Sequence, residues 1–158
     1  MGAFCHIMEG ERDMNITIRE IESRDYLAVA AIWRDVLDIP SATDDITAQT
    51  YERMKGDDRY HTYVADVDGR VVGLVTAVEV IAIGYPNSYI KMNGLGVLPE
   101  FQRHGIGRML MERVEKLAKE RGADAIGLAS GIRRTGAHEF YERIGYNKTS
   151  YWFRKRID

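Results

Sequence analysis

Ile16 and Ile18 alternate with Thr17 and Arg19, the period-two pattern of a strand with one buried face. Ser23 stands just ahead of Tyr26, Val29, Ala30, Trp33, Val36 and Leu37, apolar positions that recur at intervals of three and four. That spacing predicts a helix capped by Ser23, with one apolar stripe, stopped at Ile39-Pro40. A second helix is predicted from about Asp44 to Lys55, opened by acidic residues that suit a helix N-terminus and ended before Gly56. Residues 60–66, YHTYVAD, read as a strand, Asp68-Gly69 as a hairpin turn, and Val71 to Ile83 as the next strand. After the turn Gly84-Tyr85-Pro86-Asn87, Ser88 to Val97 completes a three-stranded meander.

The period then changes. Ile106, Met109, Leu110, Val114, Leu117 and Ala118 lie at helical spacing, and Gly122 ends that helix. Residues 125–129, AIGLA, predict a short buried strand, Thr135 to Ile144 a short helix closed by Gly145, and NKTSYWFRKRI a final strand. Residues 1–13 show no periodicity and are read as a disordered or loosely packed arm, or as a stretch ahead of a native start at Met14; the remainder, 14–158, is read as one domain. Strands and helices intermix in one unit, so the predicted class is α+β with a central mixed sheet. The pass through residues 105–121 is expected to be a right-handed crossover between parallel strands.

Composition narrows the function classes. The chain has 158 residues, 45% hydrophobic and 29% charged, enough to bury a core without cross-links. A net charge of −2 gives no electrostatic reason to bind nucleic acid or an anionic membrane. The single cysteine, Cys5, rules out a disulfide framework. No apolar run is long enough to span a bilayer and no secretory signal pattern is present, so a cytoplasmic location is expected.

The candidate chemistry lies in Gln102-Arg103-His104-Gly105-Ile106-Gly107, a glycine-rich turn between a strand and a helix. A helix N-terminus offers unpaired backbone N–H groups and partial positive charge, and Gly105 and Gly107 let an anion approach the backbone. The turn therefore reads as a phosphate or pyrophosphate cradle, with Arg103, His104 and Arg108 adding charge at its rim. It lacks the Gly-Lys-Ser/Thr of a P-loop, and no third glycine follows Gly105-x-Gly107 as a dinucleotide fingerprint requires.

The stretch from Gly96-Val97-Leu98-Pro99 through Gln102-Arg103-His104-Gly105-Ile106-Gly107, together with Ala137-His138-Glu139-Phe140-Tyr141-Glu142-Arg143-Ile144-Gly145-Tyr146, resembles the two motifs of the GNAT N-acetyltransferases. The resemblance covers nearly the whole chain beyond residue 13. It implies a mixed, mostly antiparallel sheet flanked by helices and splayed between the fourth and fifth strands, here residues 88–97 and 125–129. It also implies acetyl-CoA as the acetyl donor. Backbone from Arg103, His104, Gly105, Ile106, Gly107 and Arg108, with Gln102, would hold the pyrophosphate. The strand carrying Leu95, Gly96 and Val97 would pair with the pantetheine arm. Arg134 occupies a position where many relatives have Asn and is a candidate for the cofactor's phosphates or for an acidic group of the acceptor.

Acetyl transfer to an amine needs a neutral amine, stabilisation of the thioester oxygen and a proton or hydrogen bond for the departing thiolate. By resemblance the Val97 N–H addresses the second need and Tyr141 the third. The first is the least defined. The position four before Val97, often acidic in relatives, is Asn93, which can position water or substrate but is no base. Glu79 on the neighbouring strand is the remaining carboxylate candidate, with His138 behind it. Asp38, Asp44, Asp45, Glu52, Asp57 and Asp58, with Trp33 and Tyr51, form an acidic region suited to a cationic amine. The expected partner is a small-molecule or peptide amine, with a homodimer possible through Tyr151-Trp152-Phe153. A binding module without turnover, and a transferase using another acyl donor or acceptor, are the alternatives.

Overall fold

The computed structural model describes residues 5–7 and 14–157. A six-stranded sheet runs in the order β1 (Cys5–Ile7), β2 (Met14–Glu20), β3 (Tyr60–Val67), β4 (Arg70–Val80), β5 (Tyr89–Val97), β6 (Ile126–Leu128). Neighbours from β1 to β5 are antiparallel. The Asp124 N–H donates to the Ser88 carbonyl and the Ile90 N–H to the Ala125 carbonyl. Both segments advance together through these bonds, so the approach to β6 runs parallel to β5 and the sheet is mixed. This is the α+β architecture expected from the sequence. β1 adds an edge strand within the aperiodic N-terminal stretch, and the rest of that stretch lies outside the described residues.

Four α-helices complete the fold: α1 (Tyr26–Asp35), α2 (Asp44–Met54), α3 (Ile106–Arg121) and α4 (Thr135–Arg143). The chain divides into two compact units, residues 1–127 and 128–158. In the first, α1 closes one face of the sheet, where Val29 and Ile32 pack with Val64, Val71 and Leu74. The long helix α3 buries Ile106, Leu110, Met111, Val114, Leu117 and Ala118, and packs on β3, β4 and β5. β4 is thus covered on both faces, which explains why Val71 to Ala77 reads as a continuous apolar run broken only by Gly73 and Thr76. Thr43 caps α2 by accepting from the Ile46 N–H.

Three expectations are corrected. Ser23 opens a short 3-10 turn rather than capping α1; Asp25 holds the N-cap position of α1, and its carboxylate caps no N–H of that helix but accepts from the Glu22 N–H at 2.8 Å and from Arg19 at 2.7 Å. Residues 126–128 are half-buried, not buried. The segment 147–157 forms no strand, and Tyr151, Trp152 and Phe153 are exposed. Aromatic and β-branched content favours a strand only where another strand completes its hydrogen bonds.

Candidate active site

The end of β5 is built for backbone recognition. Leu98 donates its N–H to the Val72 carbonyl at 2.8 Å, bracketing the Gly73–Val97 pair. That makes Gly73–Val97 a non-hydrogen-bonded pair, so the N–H and carbonyl of Val97 point away from β4. Alternation gives Leu95, opposite Val75, the same orientation. Gln102 Nε2 donates to the Val97 carbonyl at 3.0 Å, which ties the start of the glycine-rich turn back to the strand.

The turn itself is strained in the way its sequence suggests. Arg103 has φ 64° and Gly105 φ 77°. Two left-handed residues in three reverse the chain between Gln102 and α3, so Ile106, Gly107 and Arg108 offer the unpaired N–H groups of a first helical turn. His104 Nδ1 is buried with no hydrogen-bond partner among the described residues. Arg103 is exposed, and Arg108 pairs with Glu112 at 3.1 Å.

On the α1 face of the sheet, helix and strand meet at two glycines. A Cβ on Gly94 would lie 2.4 Å from Trp33 Cη2, and one on Gly96 would lie 2.8 Å from Ile32 Cγ2. The register skips Asn93: Thr76 opposes Gly94 and Ala77 opposes Met92. Asn93 is therefore the extra residue of a β-bulge, and it is exposed. The Thr62 and Thr76 hydroxyls bond to each other at 3.0 Å on this same face.

Glu79 lies on the other face. It opposes Ile90, one residue out of phase with Val78 and Val80, and its carboxylate is 3.5 Å from the guanidinium of Arg121 at the end of α3. Arg121 also reaches Asp58 and lies 3.4 Å from His61 Nε2. Burial lowers the His61 pKa, and the Arg121 and Arg113 charges lower it further. The structure thus separates Glu79 from Asn93 and gives it a cationic partner.

The second unit carries Tyr141 on α4, edge-on to Phe140 at 5.3 Å between ring centroids. Burial raises the Tyr141 pKa above the ordinary phenol value, partly offset by the Arg134 charge. The phenol therefore stays protonated through neutral pH and can donate. Arg134 is exposed at the start of α4. A ring nitrogen of His138, Nε2, lies 3.0 Å from the Gly131 carbonyl, which can only accept, so that nitrogen carries the proton.

The acidic region is half neutralised. Asp57 is held at about 2 by hydrogen bonds from Arg59, Glu52 pairs with Lys55, and Asp58 pairs with Arg121. Asp38, Asp44 and Asp45 form no ion pair among the described residues. Among those residues, too, no cluster of His, Cys, Asp and Glu could hold a metal, and no helix is long and apolar enough to cross a membrane.

Residues 17–146 match the model of the acetyltransferase (GNAT) family. The chain belongs to that family. This acetyltransferase is 27% identical over 132 residues to the aminoalkylphosphonate N-acetyltransferase of Salmonella typhimurium, covering 84% of this chain and 82% of that one. It is 28% identical over 123 residues to human N-acetyltransferase 8, covering 77% of this chain and 52% of that one. Its fold superposes on the aminoglycoside N-acetyltransferase AAC(6')-Iy in complex with CoA with a TM-score of 0.79 at 19% identity, over 94% of this chain and 100% of that one.

Acetyl-CoA is the donor that this family uses, and the residues present fit it. Helix-start amides suit a pyrophosphate, outward backbone at Leu95 and Val97 suits an amide-bearing arm, and the orphaned His104 Nδ1 lies in the same turn. The sequence alone did not single out the Gln102–Val97 tether, the Trp33–Gly94 contact or the paired threonines. The first had a signal, a glutamine five residues after a strand end. The other two depend on register.

Proposed function

We propose that this acetyltransferase moves an acetyl group from acetyl-CoA to a primary amine of a small molecule or peptide, by direct attack in a ternary complex. The observation that carries the reading is the non-hydrogen-bonded Gly73–Val97 pair, which leaves the Val97 N–H facing away from β4 directly before the glycine-rich turn. Bound there, acetyl-CoA supplies an activated thioester. The Val97 N–H stabilises the negative charge that develops on the acetyl oxygen. Gln102, Arg103, His104, Gly105, Ile106, Gly107 and Arg108 hold the pyrophosphate, with Arg134 contributing charge, while Leu95 and Gly96 supply strand backbone. Tyr141 donates a hydrogen bond to the departing thiolate.

The amine approaches on the α1 face, where Asn93 bulges outward and orients it or a water. Glu79 neutralises Arg121 and takes no proton from the amine; as the N–C bond forms and the C–S bond breaks, the nitrogen's proton passes to water and water returns one to the released thiolate. The acceptor of the Salmonella relative and the aminoglycosides named for structural neighbours are all amines, which supports this acceptor class. A cytoplasmic location accords with the single cysteine, and the exposed Tyr151, Trp152 and Phe153 support a homodimer, which sedimentation would test.

Free-thiol release from acetyl-CoA across a panel of amino acids, aminophosphonates, aminoglycosides and peptides tests the reading. Turnover confined to one amine class is the expected result. Tight acetyl-CoA binding with no turnover anywhere on the panel would leave a binding module instead.

A further inference from the structure

The hairpin half of the sheet is covered unequally. On one face the last turn of α3 brings Arg121 over Glu79 and His61. On the other, α1 reaches as far as Trp33, and α2 packs on α1, with Tyr26 and Tyr51 ring centroids 5.4 Å apart. Beyond Trp33 that face continues as Thr62 and Thr76, then Val78 with its cross-strand neighbours Tyr60 and Lys91. Thr76 is buried, Thr62 and Val78 half-buried, Tyr60 and Lys91 exposed.

Lys91 is unusual in this setting. Of the lysines and arginines in β2 to β5, Arg19 pairs with Asp25 and Asp66, and Arg70 with Glu100, whereas Lys91 forms no ion pair among the described residues. It lies on an inner strand, flanked by β4 and β6, where the protection that an edge lysine gives against strand pairing is not required. Its neighbours on the face are hydroxyl, aliphatic and aromatic groups. Of the carboxylates of the acidic region, Asp57 is held by Arg59, Glu52 by Lys55 and Asp58 by Arg121, while Asp38, Asp44 and Asp45 form no ion pair among the described residues; none of the six pairs with Lys91.

We propose that Lys91 reads an anionic group at the far end of the acceptor, so that the substrate is an extended amine ending in a carboxylate or phosphonate. The inference rests on the acetyl-transfer reading above. Register sets the span. Val97 opposes Gly73 and Lys91 opposes Val78, five residues further along β4. At a strand rise of about 3.4 Å per residue the two positions are ~17 Å apart. A lysine side chain is ~6 Å long and stands off the sheet with freedom to lean along the strand, which leaves on the order of 10–17 Å between its ammonium and the Val97 N–H. An amine separated from its anion by several carbons fits that gap, and a two-carbon spacer is short for it. Trp33 and Val78 give the intervening chain an apolar wall.

The test compares ω-amino acids and ω-aminoalkylphosphonates of increasing length with neutral alkylamines and diamines of matching length. The wild-type protein is expected to prefer the anionic acceptors, with an optimum at the longer spacers; the phosphonate and carboxylate series show which anion it selects. Lys91→Met should lower kcat/KM for the anionic acceptors about 10-fold to 100-fold, the loss expected of one charge-assisted contact. It should leave neutral amines, acetyl-CoA affinity and Tm unchanged, and Lys91→Arg should restore most of the preference. Equal use of neutral and anionic amines, or a preference for diamines, would overturn the inference. Calorimetric titration of the best anionic amine into the CoA-saturated protein separates the two readings. Binding that Lys91→Met abolishes, without turnover, keeps Lys91 and defeats the transferase; absence of binding defeats Lys91.

Discussion

Trp33 occupies the space that a side chain at residue 94 would fill: a Cβ on Gly94 would come within 2.4 Å of its ring. A helix therefore docks directly on the backbone of the strand whose other residues are proposed to address the cofactor. Gly94→Ala must push the indole aside or lift α1 from β5. Overpacking of this kind costs about 1–3 kcal/mol. The expected outcome is a lower Tm, altered Trp33 fluorescence in a Trp152→Phe background, and an acceptor KM raised more than acetyl-CoA affinity falls. An unchanged spectrum would show that the ring does not lie on Gly94.

Gly107 belongs to the first turn of α3, where N–H groups face the proposed pyrophosphate. Gly107→Asp adds both bulk and a like charge beside two phosphates. Acetyl-CoA affinity should fall at least ~100-fold, about 2.7 kcal/mol, with the far-UV spectrum retained. Calorimetry measures it directly, and an affinity within twofold of wild type would remove the turn from the cofactor site.

The glycine-rich turn of the candidate site was legible because its signals are local. Gln102 to Gly107 lie together in the chain, and a glycine with φ 77° before a helical run leaves a mark that composition can show. The acceptor half was not. Glu79 and Asn93 are one strand apart in sequence order, yet Glu79 faces α3 while Asn93 bulges out of the ladder. One skipped residue changes every facing beyond it, and no period in Tyr89 to Val97 announces the skip. The final segment failed for a related reason: Tyr151-Trp152-Phe153 carries strand composition, but pairing depends on a neighbour that composition does not reveal.

Glu79 gives the sharpest test of that facing. Its carboxylate lies 3.5 Å from Arg121, with the side chain 12% exposed. If it balances Arg121 and takes no part in proton transfer, Glu79→Gln should lower Tm by a few degrees and leave the shape of the kcat/KM–pH profile intact. Removing one partner leaves a charge only partly matched by Asp58, so the loss falls on stability. Disappearance of the rate-limiting ionisation from the profile would instead make Glu79 the base.

Tyr141 is held in its neutral form by burial, which raises its pKa and outweighs the opposing Arg134 charge. The phenol proton is present below that raised pKa and is lost as the pH climbs through it, so the donor role proposed for Tyr141 predicts activity held across neutral pH and lost only on the strongly alkaline side. A coenzyme thiol ionises near 8.5 and a phenol near 10, so complete transfer of the proton is uphill; in the proposed mechanism the phenol acts by hydrogen bonding to the thiolate as it forms. A hydrogen bond to a charged partner is worth about 1.5–3 kcal/mol, equivalent to roughly 10-fold to 150-fold in rate. Tyr141→Phe, which keeps the ring against Phe140, should lower kcat by that factor while acetyl-CoA affinity and Tm hold. The deficit should shrink with acyl donors whose thiol is more acidic, because a better leaving group needs less help. A deficit independent of leaving-group acidity would identify Tyr141 as a packing residue of α4.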